Sequence, residues 1–554
     1  MSGRNQKERR DGRGFTLGLV MLIGTCLVPT LGAQIVETER AEFGESGDVQ
    51  NITGLVVDRN GNVIVAGWTT GSGAREGEIR TVAWSPEGEE MWNRSYRIAG
   101  GEEMEGRDLI ADGDGGVWVA GLGESGDAER DLLLLHYHAD GSLASAGRFD
   151  GGGADDGAGV LLRSDRSLYL LGWNRQGGMS ADLLLIHVDS AGTELWRERY
   201  GNPEEGEYPA DFLLDGSDAP VVAATVLGTD QTSDILLTAW RPTGEVRWSR
   251  RYDIGDEDYA VALDRNQNGT LLLLGTTSSD AGSLLTLIAV ADDGSEQWRR
   301  TWGEPEGGTA RALLPRPDGG WVVAAERVVG ADRRDLLLLD VDVTGNIDLR
   351  RSIGSAGREY RFREMAFDHQ GNLLVLGTLR RESLPPNLLL LSVGSDGTLI
   401  RESEFDGGGD RFDLAGGLKL DPNDRIVVAA TGDDGGGGRL LRTLWFEEQT
   451  NSVDGVTGLP SSASVAALEA LQPNPFVDAT TISWQLRHEA DITLEIHDVE
   501  GRLIETLFEG RSRPGRTELR WRPVDLPSGV YICRLTAGDH REVRKVLYQK
   551  REGG

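Results

Sequence analysis

A period of about fifty residues, running from Asp58 to near Phe446, constrains this 554-residue chain more than any other feature. Each copy reads as an apolar stretch, a polar turn with Gly, Asn or Asp, and a second apolar stretch. The second stretches end at Gly67, Gly121, Gly172, Ala224, Gly275, Ala325, Gly377 and Ala430. Successive steps between them are 54, 51, 52, 51, 50, 52 and 53 residues. That is eight copies of one supersecondary unit, and such a period indicates a solenoid, a propeller or an array.

Four strand candidates fall in each copy. In the fifth, Ala260–Asp264 leads through the turn Asn266–Gly269 to Leu271–Gly275, then Leu284–Ala289, a turn at Asp292–Gly294, and Glu296–Trp302. Short β-rich runs punctuated by Gly, Asn and Asp, with no helical period, predict an all-β fold. Four strands with their turns fill about fifty residues, the size of a propeller blade, whereas solenoid coils are shorter and lack paired hairpins. Eight residues after the second turn glycine an apolar residue recurs, as in Gly88/Tyr96 and Gly294/Trp302. Trp92, Trp196, Trp248 and Trp298 lie four residues after the same glycine, so both positions share one strand face and predict a stripe packed on the adjacent blade. The eighth copy lacks a fourth strand after Phe446, while Gln34–Gly44 is an orphan strand before the first copy. The expectation is an eight-bladed β-propeller over residues 34–446, with the N-terminal strand closing the last blade and removing exposed edges.

Residues 1–33 read as a signal peptide: Arg4, Lys7, Arg9, Arg10 and Arg13 precede the apolar run Phe15–Gly32, with cleavage expected after Ala33. An uncleaved anchor is the competing reading of that run. Cleavage would leave Cys533, in an apolar strand pattern, as the one cysteine, so stability would rest on packing without a disulfide. The net charge is −33; residues 471–554 hold 13 basic and 13 acidic residues, so the excess acid lies on the repeats and linker. Such a potential disfavours nucleic acid as a partner.

The repeats resemble β-propeller repeats of secreted bacterial proteins, as in Val57-Asp58-Arg59-Asn60-Gly61-Asn62 followed by Val63–Gly67, and in Phe367-Asp368-His369-Gln370-Gly371-Asn372. That resemblance implies a fold and no particular activity. The vicinal cysteine pair typical of quinoprotein propellers is missing from the sequence, and Ala291–Trp298 does not meet the sialidase box. Asp264, Asn266 and Asn268, followed by Gly269, fit the first half of a calcium loop and would admit Ca2+; an Asx-stabilised turn is the alternative, and no cofactor is otherwise implied. His136, His138 and His187 could meet side by side at a transition metal or serve as structural histidines. The lead-in segments to the blades are acidic, at Gly101–Glu103, Gly153–Asp156, Glu204–Glu207, Gly255–Asp258 and Gly409–Asp410, and third strands open on Asp131, Asp182, Asp234 and Asp335. Both sets fall at one end of the strands, where a carboxylate ring would attract cations or a basic partner or simply keep the surface soluble.

After a linker at 447–470, residues 471–554 show short alternating strands that predict a small Ig-like β-sandwich. The series Pro473-Asn474-Pro475-Phe476, Asp498, Gly501-Arg502, Pro514-Gly515, Gly529, Tyr531 and Lys545 resembles, in order, the type A C-terminal sorting domain of the type IX secretion system. The resemblance implies the type IX machinery as a partner, passage across both membranes of a Gram-negative bacterium, removal of the domain near residue 470, and surface attachment. The functional expectation is therefore an exported or cell-surface binding or scaffold module with an extracellular ligand (a glycan, a protein or a cation), not an integral membrane protein once the signal is cleaved. A secreted polysaccharide-acting enzyme with its site in the propeller funnel is the alternative.

Overall fold

The computed structural model describes residues 34–449 apart from 44–48, 71–76, 99–102, 125–129, 176–179, 280–281, 304–307, 331–332, 382–384, 406–413 and 434–438. Beyond these it describes 466–468 and most of 476–550; the expected signal peptide, most of the linker, and the acidic segments at Gly101–Glu102 and Gly409–Asp410 lie outside the described residues. The chain divides into two compact units, Met1–Thr450 and Asn451–Gly554, and every described element longer than a turn is a β-strand.

In the first unit each sequence repeat becomes an antiparallel four-strand meander, at 49–96, 104–149, 154–200, 206–252, 257–302, 309–353 and 358–405. The meanders at 206–252 and 257–302 are additionally joined by one parallel pair, Ser233↔Glu257. The last sheet takes three strands from 414–449 and its fourth from Gln34–Phe43, which runs antiparallel to Arg439–Gln449 from Gln34↔Gln449 to Phe43↔Leu441. First strands touch one another in order around the unit, and Leu414–Leu420 touches Val49–Val57, so the sheets form a closed ring. Across the closure Ala41, Leu441 and Trp445 share one core with Leu55, Val65 and Trp84.

Second strands such as Val63–Thr70 and Leu271–Ser279 read as unbroken apolar runs because both of their faces meet a neighbouring sheet: Val63, Val65 and Leu271–Leu274 have no exposed surface. Fourth strands alternate more, with a buried aromatic on one face (Trp92, Trp248) and charged residues on the other.

The tryptophan stripe has a definite partner. Indole N–H groups of Trp92, Trp196, Trp248 and Trp298 donate to the carbonyls of Ala139, Pro242, Asp292 and Val343, at 2.9, 3.1, 3.0 and 2.9 Å, each in the third-to-fourth-strand turn of the next sheet. Two residues further on, Arg94 and Arg250 donate from Nε to the carbonyls of Gly141 and Gly294, at 2.6 and 3.0 Å. The turn glycine is required twice. Gly294 sits at φ +80°, and a Cβ there would come within 2.6 Å of the Trp248 ring.

The second unit packs a three-stranded sheet (Ala466–Leu468, Thr480–Leu486, Gly515–Trp521) and a four-stranded one (Leu503–Ser512, Ala490–His497, Gly529–Ala537, His540–Tyr548) around one core. Phe476, Trp484, Trp521, Tyr531 and Cys533 fill that core. Burial pushes the Cys533 thiol up to about 12, so it is a small apolar group and no nucleophile.

Candidate functional site

Antiparallel pairing places the start of each third strand beside the end of its fourth strand and the beginning of the next sheet. Acidic residues at those three places therefore converge. At one junction Asp131, Asp150 and Asp155 bring carboxylate oxygens within 4.8 Å of one another; Asp131 and Asp155 are buried and Asp150 is exposed. Two repeats on, Asp234, Asp253 and Asp258 do the same with the same pattern of burial. The junction between these two pairs Asp182 with Glu207, while Gly201 stands where the other junctions carry the exposed aspartate.

These clusters are only partly neutralised. Arg148 reaches Asp131, and Arg251 donates to Asp234 at 2.5 Å and to Glu205 at 2.8 Å. Asp155 accepts the Gly151 N–H at 2.6 Å and the Asn174 amide; Asp258 accepts the Ile254 N–H at 2.6 Å and the Thr277 hydroxyl at 2.6 Å. Glu207 is less provided for. Its Oε1 accepts the Asn202 N–H at 3.2 Å, while Oε2 is buried and has no hydrogen-bond partner among the described residues. Burial, with Asp182 and Glu205 adding repulsion, pushes the Glu207 carboxyl up to about 7. Burial likewise pushes Asp155 up to about 6, with Asp131 and Asp150 adding to it against the Asn174 and Gly151 hydrogen bonds. Of the third-strand openers expected to contribute, Asp335 departs from the pattern: its carboxylate is bound by Arg333 at 2.9 Å.

A second set of acids lies on the first strands, where a bulge interrupts each pairing. Asp108, Asp211 and Glu364 accept backbone N–H groups of the next first strand, from Val160 at 2.9 Å, Leu263 at 2.8 Å and Leu418 at 2.8 Å. The opposing bulge positions are small (Gly159, Ala262 and Gly417), which admits the carboxylate. Asp211 also accepts its neighbour's N–H, from Phe212 at 2.8 Å on Oδ1, while Oδ2 takes the Leu263 N–H that ties the two strands together. Burial, with Asp264 and Asp108 contributing, pushes Asp211 up to about 6. Sequence reading missed these three acids, although each falls thirteen residues before its repeat's landmark glycine or alanine.

Of the residues expected at calcium, Asp264 ends a first strand, accepts the Arg265 N–H at 2.6 Å, and is pushed up to about 6 by burial. The side-chain oxygen of Asn266 accepts the N–H groups of Asn268 and Thr270, both at 3.0 Å, and its amide donates to the Gly319 carbonyl at 2.8 Å. Asn266 thus forms an Asx turn pinned to the next sheet. His136 stacks on Trp118 with centroids 3.9 Å apart, its Nε2 lying 3.0 Å from Asp112 Oδ2; His187 lies in another sheet, with Nε2 2.9 Å from Ser167 Oγ. His136 and His138 are near neighbours, at 5.4 Å, but His187 does not join them.

In the second unit Phe476 is buried, packs on Trp521 and Tyr548, and donates its N–H to the Leu547 carbonyl at 3.0 Å. Tyr531 is buried, with its hydroxyl donating to the Pro527 carbonyl at 2.9 Å. Gly515 pairs with Leu486, Gly529 with Tyr548 and Lys545 with Ile532; Arg502 is exposed. Pro473, Asn474, Pro475, Asp498, Gly501 and Pro514 lie outside the described residues.

Residues 470–549 match the family described as the secretion system C-terminal sorting domain. No curated protein matches the chain. Among solved structures, the chain is similar to puromycin hydrolase at 13% identity and TM-score 0.38, over 69% of this chain and 58% of that one. It thus spans less than two thirds of the hydrolase's length. A protein of unknown function from Dyadobacter fermentans (10% identity, 75% and 99% covered, TM-score 0.37) and Drosophila Plexin A in complex with Semaphorin 1b (9%, 74% and 88%, TM-score 0.37) are similar to it as well. No helix among the described residues is long and apolar enough to cross a membrane. The chain is an all-β, propeller-like protein of a Gram-negative bacterium, and its type IX secretion C-terminal sorting domain sends it outside the cell or to the cell surface.

Proposed function

We propose that the protein is an exported or surface-held binding and scaffold module: an eight-bladed propeller over residues 34–446, delivered by an Ig-like sandwich at 471–554 after removal of residues 1–33. The sandwich acts as the address read by the secretion machinery, through Pro473–Phe476, Asp498, Gly501, Arg502, Pro514, Gly515, Gly529, Tyr531 and Lys545. One observation carries the binding reading. Three successive junctions gather carboxylates at the same end of the strands, and one of the buried oxygens, Glu207 Oε2, has no hydrogen-bond partner among the described residues. A hard divalent cation or the ammonium and guanidinium groups of a basic partner would satisfy those oxygens.

The test is thermal unfolding of the full chain with Ca2+, Mg2+ or a polyarginine peptide. A ligand of the folded state raises Tm by mass action, about 2.7 kcal/mol at a hundredfold excess over Kd. Asp155→Asn and Asp258→Asn should each blunt that rise. No shift with any of the three ligands removes the acidic junctions as the binding face.

The enzyme reading draws on Asp211 and Asp264, two neighbouring carboxyls held near pH 6 on the ring of first strands. Both oxygens of Asp211 are committed to backbone N–H groups, which favours a structural role. Release of reducing sugar from mixed polysaccharides, abolished by Asp264→Asn, would reverse that preference.

A further inference from the structure

We propose a second binding site, for the carboxylate of an acidic sugar, in the cleft between the sheets at 309–353 and 358–405. The cleft has a volume of about 460 Å³ and lies where the fourth strand Ile347–Ile353 gives way to Arg358–Phe367. This is the same end of the strands at which other junctions collect acids. Here Arg351, Ser355, Arg358 and Tyr360 line the space, with Leu399 and Glu402 across from them on the neighbouring fourth strand.

Two buried donors in this wall have no hydrogen-bond partner among the described residues: Arg351 Nε and Ser355 Oγ. Leaving such groups unpaired costs about 1–3 kcal/mol each, and a ligand oxygen would recover it. Other arginines of the same two sheets have carboxylate partners: Arg311 with Glu326 at 2.8 Å, Arg333 with Asp335 at 2.9 Å, Arg350 with Asp340 at 2.8 Å, and Arg381 with Glu404. Arg351 has no acidic partner among the described residues. Arg358 is shared between Tyr360 and Glu402, the latter at 3.2 Å.

The chemistry of this wall selects among anions. A guanidinium and a hydroxyl lining one space match a planar carboxylate. Glu402 accepts from hydroxyl groups but repels a multiply charged phosphate. The half-buried Leu399 gives a sugar ring apolar surface, and the volume suits one or two residues of a saccharide. A uronic acid unit satisfies all of these. The proposal is independent of whether the acidic junctions bind anything.

The test titrates the full chain with galacturonate, galactose and inorganic phosphate, followed by calorimetry. Galacturonate should saturate in the millimolar range, with galactose and phosphate at least roughly tenfold weaker. Arg351→Gln should weaken galacturonate roughly tenfold and Ser355→Ala roughly threefold, with Tm unchanged. Arg351→Lys should lose about as much as Arg351→Gln, because charge without the guanidinium fork does not recreate the contact. Should Arg351→Gln unfold, Ser355→Ala carries the decision. Unchanged affinity in Ser355→Ala and the Arg351 variants, phosphate or galactose binding as tightly as galacturonate, or no saturation by galacturonate would each overturn the site.

Discussion

At the turn end of its strands, the junction between 206–252 and the next sheet is closed by Trp248 and Arg250, whose indole N–H and Nε–H find the Asp292 and Gly294 carbonyls of the following turn. At the opposite end of the third strand Ser233–Trp240, Asp234 meets Asp253 and Asp258, and the junction before it buries Glu207 with one oxygen that has no hydrogen-bond partner among the described residues. One end is satisfied hydrogen bonds and aromatic surface; the other gathers like charges, two buried carboxylates beside an exposed one in each triad. Burial of unpaired carboxylates lowers stability, so the difference marks the acidic end as the place where the ring gives up stability and the tryptophan end as the place that makes up for it.

Removing the satisfied end should have the largest effect. Trp248→Ala takes away a buried ring and its hydrogen bond, and should cost about 3–5 kcal/mol in chemical denaturation. A loss under about 1 kcal/mol would mean that the ring is held mainly by its apolar strands. Gly294→Ala attacks the same contact from the other side, forcing a Cβ toward the Trp248 ring at a positive φ. It should cost about 2 kcal/mol, and pairing it with Trp248→Ala should show strong non-additivity, since both break one contact.

Glu207→Gln probes the acidic end and should act in the opposite direction, stabilising the protein by about 1–2 kcal/mol at pH 8 after allowance for screening. The sign follows from linkage. The folded carboxyl titrates near 7 against an ordinary value of 4.5, so between those values the folded state holds more protons than the unfolded one. The wild-type protein therefore loses stability from this group as pH rises from about 4.5 through 7. The advantage of Glu207→Gln should grow over that range and vanish below it. An equal gain at pH 5 and pH 8 would show that charge is not its origin.

Much of the ring was legible in the chain because it repeats. The orphan strand at Gln34–Phe43 and the missing fourth strand after Phe446 together implied the pairing that the structure contains. Tryptophans four residues after a glycine implied a stripe; that each indole would sit on the next repeat's turn glycine needed the ring itself. The acids were half legible. Asp131, Asp155, Asp234 and Asp258 stood out by position, but which of them converge depends on bulge registers that no local pattern encodes. Asp108, Asp211 and Glu364 were hidden because a single acid in an apolar strand looks like noise until its role between neighbouring strands is seen. Asp264, Asn266 and Asn268 were ambiguous because alternating oxygen side chains before a glycine suit both a cation loop and an Asx turn, and only hydrogen-bond partners tell the uses apart.

The pairing of Gln34 with Gln449 has a kinetic meaning. During synthesis the segment that seals the ring emerges first, and its partner follows hundreds of residues later. Until then the chain is an unsealed row of sheets with two bare edges, and loop-closure entropy delays the final step. A ring built this way locks only when these two distant segments have met.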